Sequence, residues 1–385
     1  MKIGLFTIFR CVNFGAVLQA IALKRVLSEL FPNATIEVIN HLMDPRDNHL
    51  LGKVTNPNTP WFQRWRNRSK FQWKFYRADL FEKRREKTIC VINEALKPTE
   101  RLFKSLADLA NVPPYDVIVV GSDQVWNPVL NHDFETNQYL CTTFPAEQRR
   151  VSYAASFGVG ELDSSVKAEY HDALSQFDVI TVREETGARI CEELLGVRPE
   201  VVVDPTMLLN AKEWQEIFSH LGKLSVSGPK DYLFAYWVRT PIQADIDALA
   251  NIARNYGLPV RLFSAGQLPK LNFPEEVVPQ IDVDPIEWAA CLSASVGVVT
   301  DGFHGLQFAV NFSKPVLALG ELSDVKSESS RLTDFCTRCG FPSACAEIDA
   351  FRKGESQVLV PTIADNEALI NAREKSRMLL KEMIQ

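Results

Sequence analysis

No G-x-G-x-x-G fingerprint follows the first strand-like segment, and no Walker A sequence occurs anywhere, so the two commonest phosphate cradles of nucleotide-binding chains are missing. Cysteine is sparse: the eight at positions 11, 90, 141, 191, 291, 336, 339 and 345 are too few for a disulfide scaffold in 385 residues. Only Cys336-Thr337-Arg338-Cys339 with Cys345 approaches a metal motif, and it lacks a nearby histidine and sits in a stretch that reads as a continuing helix. No apolar run nears the length of a membrane span. Positive charge is not in excess, and a net charge of −6 argues against generic nucleic-acid binding, although a local basic surface survives such a total. The first residues run straight into IGLFTIF, with no apolar segment ending in a small-residue cleavage site, so a cytoplasmic enzyme with reduced thiols is expected.

What the chain does have is a series of short apolar runs that break off into polar or glycine-bearing clusters. DVIVV leads into GSDQVWN at 121–127, RVSYAA into SFG at 156–158, DVITV into REE at 183–185, and VGVV into TDGFHG at 300–305. A short continuous apolar run reads as a strand buried on both faces, and parallel α/β sheets collect ligand chemistry just past the carboxyl ends of such strands. Strands are expected at 2–9, 36–40, 116–120, 150–155, 178–182 and 200–209, with helices at 17–31, 164–176 and 185–195 among them. A second series follows a polar crossing that ends at Gly228-Pro229: strands at 232–238, 260–264, 296–300 and 315–319, helices at 241–256 and 288–294, and a charged amphipathic helix at 367–383. The expected fold is α/β, two Rossmann-like doubly wound domains at 1–215 and 216–385 facing one cleft; whether the last helix packs back on the first domain stays open.

One segment stands apart. Residues 61–87 interleave Trp61, Phe62, Trp65, Phe71, Trp73, Phe75, Tyr76 and Phe81 with a local excess of lysine and arginine. Two readings remain: aromatics packed on the domain with solvated charge, or a surface that meets anionic lipid or phosphate, which would place the protein peripherally at the inner membrane face.

His304 lies in Asp301-Gly302-Phe303-His304-Gly305, between a buried strand and an apolar helix, where glycines allow close backbone approach and the helix start offers unpaired amides; Gly305 is counted with the ligand site for that reason. A histidine here can protonate a substrate or bind its phosphate. Arg183 follows a buried strand, and its planar fork suits carboxylate or phosphate; the bland alternative is an ion pair with Glu184, Glu185 or Asp204 across the sheet end. Arg331 is a second cation from the opposite half. Asp123, Trp126 and Asn127 offer a carboxylate, an indole face and an amide, the equipment for holding a sugar, unless Trp126 is core and Asp123 an end cap. Asn13, Gln19 and Ser156 join them as acceptor candidates.

In order and spacing, NFGAVLQAIAL, GSDQVWNP, YAASFG, VREETG, DPTMLL and TDGFHGLQFAVNFSKP resemble the polysaccharide pyruvyl transferases, from about residue 13 to 319. The resemblance implies a GT-B-like fold, no metal or other cofactor, and a cleft holding phosphoenolpyruvate as co-substrate beside a saccharide acceptor; whether that acceptor is lipid- or nucleotide-linked stays open. It places the family's histidine on His304 and its arginine on Arg183. Some members carry Arg-Leu-His where this chain reads Gly302-Phe303-His304, and Arg331 or Lys326 is expected to supply the charge that is lost. Asp123 or Glu184 would take the acceptor proton. The competing readings are a GT-B glycosyltransferase using a nucleotide sugar and a noncatalytic sugar-binding protein.

Overall fold

The computed structural model describes residues 1–42, 75–130, 137–222, 230–322, 330–364 and 366–385. Among these residues the strands form two six-stranded sheets in which every pairing between neighbouring strands is parallel. The first has the order β2-β1-β3-β4-β5-β6, with β1 (Lys2–Phe6), β2 (Thr35–Val38), β3 (Val117–Val120), β4 (Arg150–Ala155), β5 (Val179–Val182) and β6 (Glu200–Val201). The second has the order β12-β11-β10-β7-β8-β9, with β7 (Leu233–Trp237), β8 (Val260–Ser264), β9 (Val277–Pro279), β10 (Gly297–Thr300), β11 (Val316–Gly320) and β12 (Cys345–Glu347). Strands β3, β4, β7, β8, β10 and β11 are buried throughout, which is why their sequences are continuous apolar runs rather than alternating ones.

Parallel neighbours need crossovers, and helices supply them. In the first half these are α1 (Phe14–Leu30), α2 (Ala78–Val91), α3 (Ser164–Leu174) and α4 (Glu185–Leu195). The expected strand at 200–209 is only two residues long. Asp204 accepts from the Thr206 amide and Pro205 takes the first helical position, so the chain turns into the short α5 (Pro205–Leu208) and then α6 (Ala211–His220). In the second half α7 (Gln243–Tyr256), α8 (Pro285–Ala294), α9 (Phe303–Asn311) and α10 (Ser330–Arg338) flank the sheet.

Three features join the halves. The start of α1 enters the second half, where Phe14 stacks on Trp288 of α8 with centroids 5.4 Å apart and planes 16° apart. The last helix, α11 (Glu367–Glu382), returns to the first half: Arg373 donates to the Met207 carbonyl at 2.7 Å, Arg377 to the Leu208 carbonyl at 3.1 Å, and Ser376 accepts from the Val203 amide at 3.1 Å. The third is α2. Its Phe81 and Ala78 pack into the core of the second half, and Tyr76 just before it meets Phe273. The 75–87 part of the basic aromatic segment is thus packing, while 61–74 lies outside the described residues. No helix among the described residues is long and apolar enough to cross a membrane.

Arg84 of α2 is the least expected element of this join. Buried and without a carboxylate partner among the described residues, it donates to the carbonyls of Ser264 (2.7 Å), Ala265 (3.1 Å) and Val12 (2.5 Å), and lies 3.8 Å over the Phe14 ring. Burial pushes the guanidinium down to about 10, so it stays charged at neutral pH and the carbonyls and ring supply its compensation. Arg84→Leu strands three carbonyls and is expected to destabilise the protein by about 3 kcal/mol, read as a lowered midpoint in urea; an unchanged midpoint would show that α2 does not hold the halves together.

Candidate active site

A cleft of about 450 Å³ opens between the two sheets. Its polar lining comes from segments that follow the carboxyl ends of parallel strands: Asn13 after β1, Asp123 and Gln124 after β3, Arg183 after β5, Arg239 after β7, Asp301 and His304 after β10, and Glu321 after β11. Arg331 of α10 and Tyr236 at the end of β7 complete it.

At its base lies a buried charge cluster. Arg183, 1% exposed, places Nη1 3.0 Å from Asp204 Oδ2 and 3.4 Å from Asp123 Oδ1, and Nε 3.4 Å from Glu184 Oε2. The Asp204 carboxylate reaches beyond Arg183. Its Oδ2 accepts from Ser122 Oγ at 3.2 Å and stands 3.7 Å from His304 Nε2, while Oδ1 takes the amide (2.9 Å) and hydroxyl (2.8 Å) of Thr206. Burial, the largest influence on Asp204, favours the neutral acid, but His304, Arg183 and the Thr206 amide outweigh it and hold the carboxyl well below the usual carboxylate range. For Arg183 burial again comes first and opposes charge; Asp123, Glu184 and Asp204 more than offset it and raise the guanidinium above its ordinary value.

Two buried nitrogens of this cluster, Arg183 Nη2 and His304 Nε2, have no hydrogen-bond partner among the described residues, and His304 Nε2 faces Asp204 Oδ2 at 3.7 Å. Unmade buried polar groups are costly, and these two residues, one from each half, meet at the base of the cleft that both line. The start of α9 adds to the same wall, since no side chain caps its amides. Phe303 lies between two cations, its ring centroid 4.7 Å from the Arg183 guanidinium and 5.9 Å from that of Arg331. Arg331 also meets Gln124 from the first half; with the amide oxygen turned toward it, the contacts are 2.9 and 3.3 Å.

His304 owes its place to a glycine of the other half: any Cβ at Gly15 would overlap the imidazole ring. Gly305 serves packing too, because a Cβ there would come within 2.5 Å of Thr300 Oγ1. Asp123 sits at φ 70°, and its carbonyl takes the amides of Val125 (2.8 Å) and Ser156 (3.0 Å), a left-handed turn that aspartate tolerates better than most residues and that brings the carboxylate to Arg183.

Of the residues expected at the site, His304, Arg183, Asp123, Arg331 and Asn13 line the cleft together. Asn13 also caps α1, accepting from the Gly15 amide at 3.0 Å. Glu184 is buried against Arg183 and does not line the cleft. The acceptor candidates mostly face inward. Trp126 is core: it packs on Phe157 and Phe177 and donates Nε1 to the Tyr139 carbonyl at 3.3 Å, so its indole face offers no platform. Gln19 donates to Thr7, Ile8 and Ala16 and accepts from the Ser122 amide at 3.2 Å. Asn127 accepts from the amides of Val129 and Leu130, and Ser156 Oγ from Gly158. These four shape the loops behind the cleft. Lys326 lies outside the described residues.

Sequence reasoning missed Arg239, Tyr236, Gln124 and Glu321. Arg239 contacts Asp301 Oδ2 at 3.2 Å through Nε and Glu321 Oε1 at 2.9 Å through Nη1. It comes from the strand beside His304's, while the space above Gly302 is taken by Tyr236 and Val238, within 2.7 Å of any Cβ placed there. Arg239 and Arg331 are thus the cleft-lining guanidiniums besides Arg183 among the described residues. Asp301 is raised by burial, against the Val238 amide and Arg239, which favour its charged form. Among the described residues no group of three or more His, Cys, Asp or Glu is placed to hold a metal ion.

A carboxyl held low in the fold stabilises it above the unfolded value near 3.9, and that contribution is lost as pH falls through the lower folded value. Asp204→Asn is therefore expected to cost about 3–5 kcal/mol at pH 7 and to flatten the loss of stability below about pH 4. Urea unfolding at pH 7 and under acid conditions checks this; parallel pH profiles for variant and wild type would contradict it.

Residues 13–323 match the sequence profile described as polysaccharide pyruvyl transferase. No curated protein matches the chain. Among solved structures it is similar to UGT89C1 of Arabidopsis thaliana complexed with UDP-L-rhamnose, at 11% identity, covering 100% of this chain and 99% of that one, with a TM-score of 0.52. It is also similar to the UDP-GlcNAc 2-epimerase of Methanocaldococcus jannaschii in complex with UDP-GlcNAc and UDP, at 11% identity, 99% coverage of both chains and a TM-score of 0.46. A third is the glycosyltransferase SnogD from Streptomyces nogalater, at 14% identity, covering 100% of this chain and 95% of that one, with a TM-score of 0.41. The likeness to UGT89C1 is one of fold, two Rossmann-like halves in the GT-B arrangement. The profile match spans well over half of the 385 residues, and the chain belongs to the polysaccharide pyruvyl transferase family.

Proposed function

We propose that the protein transfers a pyruvyl group from phosphoenolpyruvate to two hydroxyls of one sugar in a polysaccharide or its precursor, forming a cyclic ketal and releasing phosphate. The observation that carries this reading is that Arg183 and His304, held together by Asp204, line one cleft with Arg331 in a chain of this family. Phosphoenolpyruvate presents a carboxylate and a phosphate on one small molecule, and cations held in place on a buried wall suit both.

The chemistry assigns the remaining roles. C2 of the donor accepts a nucleophile once C3 is protonated, so the site needs an acid near C3 and a base for the sugar hydroxyl. His304 is the acid, or the phosphate ligand that sets the donor in place. Arg183 and Arg331 hold the donor's charged ends. Asp123, which lines the cleft where Glu184 does not, is the better placed base. The first hydroxyl adds at C2, the second displaces phosphate from the same carbon, and the ketal closes. No step calls for a metal ion.

Phosphate release that requires both phosphoenolpyruvate and a saccharide is the direct test. Release of nucleotide from a nucleotide sugar instead would favour a glycosyltransferase; no turnover with any acceptor tried would favour a sugar-binding protein. His304→Ala is expected to cut turnover roughly a hundredfold or more, and wild-type rates in that variant would remove the imidazole from the mechanism. Arg183→Lys keeps the charge and loses the fork, so the apparent KM for phosphoenolpyruvate is expected to rise about tenfold; an unchanged KM in the folded enzyme would return Arg183 to a purely structural role. Dialysis against a chelator is expected to leave the rate intact, and loss of activity restored by one added divalent ion would overturn the metal-free reaction.

A further inference from the structure

Cys336 and Cys345 are brought together by the edge of the second half. Cys336 is in the last turn of α10, Cys345 opens β12, and β12 is fixed against β11 by the pairing of Cys345 with Ala318. Their sulfurs stand 3.2 Å apart. A disulfide needs about 2.05 Å, so a shift of roughly 1 Å closes the bond. The third cysteine of the group, Cys339, is buried.

We propose that Cys336 and Cys345 are a thiol-oxidation site at which a peroxide forms a disulfide tying α10 to the second sheet. Cys345 is the partly exposed member and Cys336 the buried one, so the oxidant meets Cys345 first. The hydrogen bond shared by the two sulfurs lowers the pKa of Cys345, whereas Cys336, by the same bond and by burial, is raised. The Cys345 thiolate attacks the peroxide, the O–O bond breaks, and a sulfenic acid forms. Cys336 then attacks that sulfur and water leaves. Two thiols and one hydrogen peroxide become one disulfide and two waters.

The consequence falls on the cleft wall. Helix α10 carries Arg331, which lines the cleft; Phe335, which meets Phe303 edge-on at 5.7 Å; and Arg338, which donates to the Arg183 carbonyl at 3.4 Å. The bond closes a short ring between 336 and 345 and anchors the carboxyl end of this helix to the sheet.

The test treats the full chain with hydrogen peroxide, blocks remaining thiols under denaturing conditions and maps the peptides. The expected product is a Cys336–Cys345 cross-link that has lost two hydrogens and returns to free thiols on reduction, with slower hydrogen exchange across 330–338 in the oxidised form. Cys336→Ser and Cys345→Ser remove the link and Cys339→Ser leaves it. A Cys336–Cys339 link, or sulfinic acid at Cys345 with Cys336 still free, would overturn the assignment, and both outcomes are legible in the wild-type map should a variant fold poorly.

Discussion

The Asp204 carboxylate is the constraint on which the rest of the site depends. It is fully buried, yet it stays ionised because Arg183, Ser122, Thr206 and His304 surround it. Those residues come from four chain segments and from both halves, so one charge sets the mutual positions of the arginine and the histidine. A buried carboxylate tolerates loss of any partner poorly, which makes the arrangement brittle to substitution and rigid in place. Rigidity of this kind keeps donors at fixed angles toward a ligand without reorganisation when charge develops.

The two sheets make that arrangement reachable. Parallel strands deliver each polar segment at the same end, and two such sheets set face to face turn those ends toward one space. The start of α1 completes the approach: Gly15 yields the volume that the His304 ring occupies, and Phe14 anchors the turn on Trp288. Fold alone would fit many transferases, and the likeness to UGT89C1 carries no more than that. What narrows the reading is the cleft's charge pattern within a chain of the pyruvyl transferase family.

Much of this was legible in the sequence because buried parallel strands leave an unambiguous trace and their last residues are easy to name. Arg183, His304 and Asp123, which line the cleft, each follow such a strand. Asp204 was seen only as a possible ion-pair partner, because VVVDPTMLL reads as a strand; the Asp-Pro step, a cap followed by proline at the first helical position, is the signal that marks its turn. Arg239 was invisible because a strand-end arginine without a neighbouring motif looks like any surface cation. Trp126 and Gln19 misled for the opposite reason. They belong to segments that do reach the site, but which way a side chain turns from such a loop depends on tertiary packing, here the aromatic cluster around Phe157 and the buried carbonyls behind α1.

The central claim is that Arg183 and His304 jointly hold phosphoenolpyruvate against the base of the cleft. A crystal structure of the protein soaked with phosphoenolpyruvate tests it most directly. The account predicts oxygens of phosphoenolpyruvate within hydrogen-bond distance of both the Arg183 guanidinium and the His304 imidazole, with the enol carbons facing Asp123. Phosphoenolpyruvate bound away from these groups, or an occupied cleft in which neither touches the ligand, would contradict it.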